Sequence, residues 1–457
     1  MIAKRTGVVA ALAVGLLLIV AAPAFAVPGD VLWSDQVHAS GVVGDDTGRV
    51  LKVDGLGNAI IAGQWATTAS LQQTTVMSYT PLAATRWPGP LWSGPGSTFE
   101  TVSGMAIDSA GDSFTVGSTS TATGGDMYML TVGSDGTSWV AKTYNGPADG
   151  NDEGMAVAVN AAGEAWYTGI SEDTDGDMDV ATTYVNAVGI QTWTKRYNSP
   201  YDRFDGGFAI AVNGNALYVA GISNRKGHGD DLILIRYNAT TGARIWVRRY
   251  DDPLHRSELV SDIVATATDV YLCGSGKFGA VKGGDAMIAR YSSSGVRKWV
   301  KFFSGGGIFD ENFADMQRAP SGHIIVTGFA SRTAYQQDWA TVSYRTNGTV
   351  RWARWLTSTG KKSDIASALD IAGGRIYVTG SVESATHGSD VRTVCYSATS
   401  PIGKTLWGTG GSAFWNGLDD GDDVPWDVEV SSGAVWVTGT TFVAANGMDM
   451  LTIKYEK

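Results

Sequence analysis

Short runs in which apolar and polar side chains alternate recur along the whole chain, among them "GMAVAVN", "FAIAVN" and "DLILIRY". Period-two alternation rich in Val, Ile and Tyr predicts half-buried β-strands, and the Gly-containing stretches between them ("AAGE", "PSGH") predict tight turns. One phrase repeats eight times: "AIIAGQ" (Gly63), "SFTVGS" (Gly117), "AWYTGI" (Gly169), "LYVAGI" (Gly221), "VYLCGS" (Gly274), "IIVTGF" (Gly328), "IYVTGS" (Gly380) and "VWVTGT" (Gly439). Successive glycines lie 54, 52, 52, 53, 54, 52 and 59 residues apart.

Each repeat reads as four strands. An alternating strand comes first and the Thr-Gly strand second. A third strand ends in Tyr ("DAMIARY", "DWATVSY"), and a last one opens on Gly four residues before Trp ("GARIW", "GVRKW", "GTVRW", "GKTLW"). A period near fifty with four strands per unit predicts an all-β fold, an eight-bladed β-propeller of antiparallel four-stranded blades, in which each Trp fills space between neighbours. The Trp column is expected at Trp33, Trp92, Trp139, Trp193, Trp246, Trp299, Trp352 and Trp407.

The two ends fit together. The last unit stops after "DMLTIKYEK" without a Trp strand, whereas "VPGDVLW" supplies one before any Thr-Gly strand. The expectation is that the N-terminal strand completes the C-terminal blade and closes the ring.

Composition adds an address. Residues 1–26 read as a secretory signal, with Lys4 and Arg5 before the apolar run "GVVAALAVGLLLIVAA" and a small-x-small site at Ala24 to Ala26. The propeller then spans 27–457 as one domain, with no transmembrane segment after cleavage. Removing Lys4 and Arg5 from the 34 basic residues leaves 32 against 45 acids, net −13, which repels nucleic acid and anionic lipid. Cys273 and Cys395 lie in strand-like runs two units apart, so both are expected to be buried and unpaired.

The units resemble the SBBP β-propeller repeat family. The likeness is carried by "YNGPADGNDEGMAVAVNAAGEAWYTG" (Tyr144 to Gly169), with tyrosine, Asn-Gly, acidic loop, alternating strand and Thr-Gly in the family order. It implies an exported bacterial or archaeal propeller and carries over no catalytic residue. A weaker likeness, "YNATTGARIW" (Tyr237 to Trp246), is similar to the tryptophan-docking strand of the PQQ-dependent alcohol dehydrogenases. Those enzymes often use an adjacent Cys pair, whereas these two Cys stand 122 positions apart.

A feature present in every blade serves the blade, so function should show as asymmetry. Asp126, Asp231, Asp285, Asp338, Asp390 and Asp449 share one position and are expected to bond turn amides. "EDTDGDMD" offers Asp173, Asp175, Asp177 and Asp179 as candidate Ca²⁺ ligands, although Met178 and Tyr184 stand where a Ca²⁺ loop needs Gly and Glu. "LDDGDD" brings Asp419, Asp420, Asp422 and Asp423 after Phe414 and Trp415, which read as loop residues. With Trp65 of the first unit they form a candidate sugar- or peptide-binding patch. The five histidines (His38, His228, His255, His323, His387) fall at no ligand spacing, so zinc is not expected, and no nucleophile motif or phosphate loop is present.

These readings converge on an exported, noncatalytic, monomeric binding module of the cell surface, extracellular space or periplasm. Rim loops on one face would contact an envelope protein or glycan. The alternatives are an enzyme using the central channel (quinoprotein-like or polysaccharide-cleaving) and a Ca²⁺-stabilised structural protein.

Overall fold

The structure, a computed structural model, describes residues 27–457 save 39–43, 69–70, 90, 95, 97–98, 122–123, 277–282, 334–335, 359–361, 385–387, 408–410, 418 and 432. The expected signal segment and His387 lie outside the described residues. All regular structure among these residues is β-strand and turn. Asp152–Val159, Ala165–Glu172, Met178–Val185 and Gln191–Tyr197 form one antiparallel sheet in that order, and the units beginning at Asp205, Leu259, Asn312 and Asp364 repeat it.

The repeated Thr-Gly phrase has a steric cause. In these units the first strand carries a bulge where it meets the Thr-Gly glycine, as between Gly154 and Ala156 opposite Gly169. The bulge turns a carbonyl onto the glycine Cα. A Cβ on Gly221 would meet the Gly206 oxygen at 1.8 Å, and one on Gly169 would meet the Glu153 oxygen at 1.8 Å. Thr168 then donates its hydroxyl to the Ala181 carbonyl of the third strand at 2.9 Å, and Thr438 does the same to Leu451 at 2.9 Å.

Apolar side chains gather between units. Tyr218, Leu232 and Leu234 of one unit pack with Val270, Leu272 and Met287 of the next, all buried. Every such cluster draws on two units adjacent in sequence, except one that joins Leu51, Ile61 and Met77 to Trp436 and Met450. The first strands follow suit. Thr47–Val53 packs on Gly104–Ile107, contact passes on from unit to unit, and Asp423–Val430 packs back on Thr47–Val53.

At the outer edge a bare glycine lies flat on the preceding unit's indole. A Cβ on Gly242 would sit 2.8 Å from Trp193, on Gly348 2.9 Å from Trp299, and on Gly403 2.8 Å from Trp352. This contact corrects the expected Trp column at two places. Gly136 covers Trp87, not Trp92, and Trp87 pairs with Ser78 at the register that Trp246 holds opposite Arg236. The run "TRWPGPLW" splits the outer strand into Thr85–Trp87 and Leu91–Trp92, because proline donates nothing to the ladder. Trp139 pairs one residue off register, with Val132, and is 48% exposed.

The first two units also differ from the expected separate sheets. Phe99–Glu100 pairs with both Leu71–Tyr79 and Ser113–Ser120, so their strands merge into one ten-stranded sheet.

Val31–Val37 completes the sheet of Asp423–Val430, Ala434–Val443 and Gly447–Glu456. Ser34 pairs with Ile453, Gly29 N–H donates to the Glu456 carbonyl at 2.9 Å, and Gly29 rests on Trp407. Both cysteines are buried and free, as expected.

Two tests follow from these contacts. Gly221→Ala should lower unfolding free energy by about 3 kcal/mol in urea titrations, because backbone atoms cannot yield to the new methyl. Gly55→Ala, with nothing within 4 Å, should be neutral, and equal stability of the two variants would refute the bulge argument. Deleting residues 27–37 bares the edge of Gly447–Glu456 and should lower the melting temperature and promote aggregation, read by light scattering.

Candidate functional site

Asymmetry is the guide to function, and it occurs first along the axis. A cavity of about 390 Å³ is lined by the first strands of successive units, including Val50, Met105, Ala156, Ala209, Asp262, Asp315, Leu369 and Asp427. One arc of its wall is apolar and the other acidic. The acids are already engaged. Asp262 accepts the Met316 N–H at 3.1 Å, Asp315 that of Leu369 at 2.6 Å, Asp370 that of Val430 at 2.8 Å, and Asp427 that of Leu51 at 2.9 Å. Each carboxylate thus stitches its unit to the next, and the last stitch runs from the C-terminal unit to the N-terminal one.

Lys52 bonds Glu429 and lies 3.5 Å from Asp427. Arg49 covers the Trp426 ring at 4.1 Å. Burial pushes the Asp315 carboxyl up to about 6, and burial outweighs Lys52 to hold Glu429 at about 7. This arrangement is a fastening.

The sequence-selected residues are also largely engaged in structural bonds. Asp173 accepts the N–H groups of Asp175 and Asp177 at 2.9 and 3.0 Å, closing its own turn, while buried Asp179 receives Arg196 at 2.9 Å. Asp179 in fact shares the column of Asp126 and Asp231, and Asp231 likewise takes an arginine, Arg249, at 2.7 Å where turn amides were expected. Asp419 accepts from Ala444 N–H at 3.0 Å, Asp420 from the Asn416 side chain at 3.0 Å, and Asp422 from Ser389 N–H at 2.8 Å.

Asp423 is fully buried on Gly417 N–H and the Thr441 hydroxyl, both at 2.7 Å. It belongs to a second repeated column with Asp152, Asp205 and Glu311, each accepting the N–H six residues before it. Phe414 and Trp415 are not loop residues. They lie in the strand Ser412–Trp415, because the outer strand resumes after Trp407 and so absorbs the longest interval. Phe414 lies under Arg392 at 5.6 Å, Trp415 packs with the cluster of Trp407 and Val428, and Trp65 packs with the separate cluster of Leu51 and Trp436.

The larger concavity lies elsewhere. A groove of about 860 Å³ runs where the first strands of the units at Asp205, Leu259 and Asn312 begin, on the face of the turns between second and third strands. Phe208, Ile222, Leu259, Val260 and Phe329 give it an apolar floor, and His255, Arg256, Asp310 and Glu311 supply polar groups. At its rim three side chains converge that sequence spacing did not connect. His228 Nδ1 lies 2.7 Å from His255 Nδ1 and 2.9 Å from Asp251 Oδ2, and His255 Nδ1 lies 2.8 Å from that same oxygen. Burial, then Asp252, Asp231 and Asp251, push the neighbouring Glu258 carboxyl up to about 9.

No family model and no curated protein matches the sequence. Solved structures do. A europium-containing methanol dehydrogenase aligns at 9% identity over 93% of each chain, with a TM-score of 0.51. The β-propeller domain of the Trilobed protease from Pyrococcus furiosus, with an open velcro topology, aligns at 8% identity over 79% of this chain and 96% of that one, TM-score 0.45. A protein of unknown function from Dyadobacter fermentans aligns at 11% identity over 94% and 100%, TM-score 0.42. At such identities the likeness speaks for the fold alone; the repeated four-stranded antiparallel sheets, with their first strands packed in succession, are themselves the architecture of a β-propeller. No helix among the described residues is long and apolar enough to cross a membrane.

Raised carboxyl values fix a sign for pH dependence. Glu311 and Glu429 are pushed to about 7 and Glu258 to about 9, chiefly by burial, so the folded chain keeps protons that the unfolded chain releases. Their contribution is therefore full below the ordinary carboxyl range and is lost as pH rises from there through the folded values. His323, which burial pushes downward, is neutral over the upper window and does not oppose it. In chelator the melting temperature should fall between about pH 6.5 and about pH 9, and Glu258→Gln should flatten the slope. A flat or rising wild-type profile would contradict this electrostatic account.

Proposed function

We propose that the chain is an exported, SBBP-type propeller of eight blades in a closed ring, serving as a noncatalytic binding module of the cell envelope. For the blade number, the ten-stranded sheet is read as two blades bridged by Phe99–Glu100. Ring closure is supported by the pairing of Val31–Val37 with Gly447–Glu456 and by the Asp427 stitch to Leu51.

The observation that carries the binding role is the groove. It opens on one face, and its apolar lining is Phe208, Ile222, Leu259, Val260 and Phe329 instead of the flat Trp or Tyr platforms that sugars stack on. The proposed occupant is a polypeptide segment of an envelope or extracellular protein, presenting an apolar side chain to Phe208, Leu259 and Phe329. The axial cavity gives weaker support to an enzyme, because its acids are spent on strand amides.

Peptide-display selection against the purified chain tests this. Selected peptides should carry apolar anchors. Leu259→Glu, at a side chain already 49% exposed, should weaken them at least about tenfold without moving the melting temperature, whereas Trp65→Ala should not. Undiminished binding by Leu259→Glu, or selection of glycans alone on an array, would overturn the proposal.

A further inference from the structure

We propose that His228, Asp251 and His255 form a binding site for a divalent transition metal, with zinc the best-matched ion. The residues come from two places in one unit. His228 sits in the turn between Ala216–Arg225 and Gly229–Asn238, and Asp251 and His255 sit in the loop after Arg244–Tyr250. Because the third strand begins beside the end of the fourth, the fold brings these two segments together.

The geometry is a poor fit to hydrogen bonding. His228 Nδ1, His255 Nδ1 and Asp251 Oδ2 make a triangle with edges of 2.7, 2.8 and 2.9 Å. Each ring nitrogen has one in-plane direction, carrying either a proton or a lone pair, yet here it faces two partners. If both nitrogens are protonated, the protons oppose each other. If one is not, its lone pair faces the shared carboxylate. A cation shared by the three donors removes both conflicts, because each then offers a lone pair and none needs a proton. An ion about 2.0–2.1 Å from each donor stands about 1.3 Å off the plane of the triangle, and a tetrahedral ion would open its edges to about 3.3 Å and leave a fourth position open.

The donor set and its surroundings select the ion. Two imidazoles and one carboxylate suit zinc and its first-row neighbours, whereas Ca²⁺ and Mg²⁺ favour all-oxygen shells. Asp231 and Asp252 stand near the site and engage Arg249 and Arg256, which leaves Asp251 for the two imidazoles. The side chains of His228 and Asp251 are mostly covered and that of His255 is half exposed, so an ion can enter from solvent. His255 also lines the groove, which puts the open position at the edge of the peptide-binding region. The metal site itself does not depend on that functional reading.

The test is calorimetric titration of Zn²⁺ into the full chain stripped with chelator at neutral pH, with Ca²⁺ titrated in parallel. The expected result is one equivalent of Zn²⁺ bound at about 10 µM or tighter, a higher melting temperature, and no response to millimolar Ca²⁺. His228→Ala, His255→Ala and Asp251→Asn should each weaken Zn²⁺ at least about tenfold, while His323→Ala, in the turn near Ala319, should not. X-ray absorption of the loaded chain should show two imidazoles on the ion. Wild-type affinity weaker than about 100 µM would overturn the proposal, as would zinc binding that survives His228→Ala and His255→Ala in chains with unchanged circular dichroism.

Discussion

A carbonyl pressed onto a bare Cα sets the shape of every unit. The bulge in the first strand turns that carbonyl inward, and Gly169, Gly221 and Gly328 accept it only because they carry no side chain. A bulge also sharpens the local twist, and twist lets narrow sheets pack face to face around an axis. Once the twist is set, apolar clusters between neighbours and indole under glycine at the rim repeat, and from Asp262 to Asp427 a carboxylate on a strand amide joins one unit to the next.

This regularity explains why the fold was legible in the sequence and where reading it failed. Period, strand order and the pairing of Trp33 with the last strand all follow from residues with one steric meaning. Trp87 was missed because a proline-broken strand moves the indole away from the glycine spacing that marks it elsewhere. Phe414 and Trp415 look like loop residues in the sequence because the strand containing them is interrupted after Trp407 and restarts where the repeat places a turn.

The candidate site was much less legible. Acidic runs draw attention in a sequence, but Asp173 and Asp422 satisfy turn amides and Asp423 is one of a buried column. Conversely, His228 and His255 stand 27 positions apart in unremarked loops, and only the return of the fourth strand beside the third makes them neighbours. Their meeting depends on topology, and a spacing rule confined to one element cannot detect it.

The seam settles the direction in which anything joined to this molecule would point. Tyr455 and Val31 face each other at the finish of a third strand, whereas Gly229 and Gly284, near the outset of third strands, border the groove. Polypeptide continuing past either residue therefore departs from the side away from the groove. Attachment through either end would hold the molecule by the face opposite the groove and leave the groove turned outward.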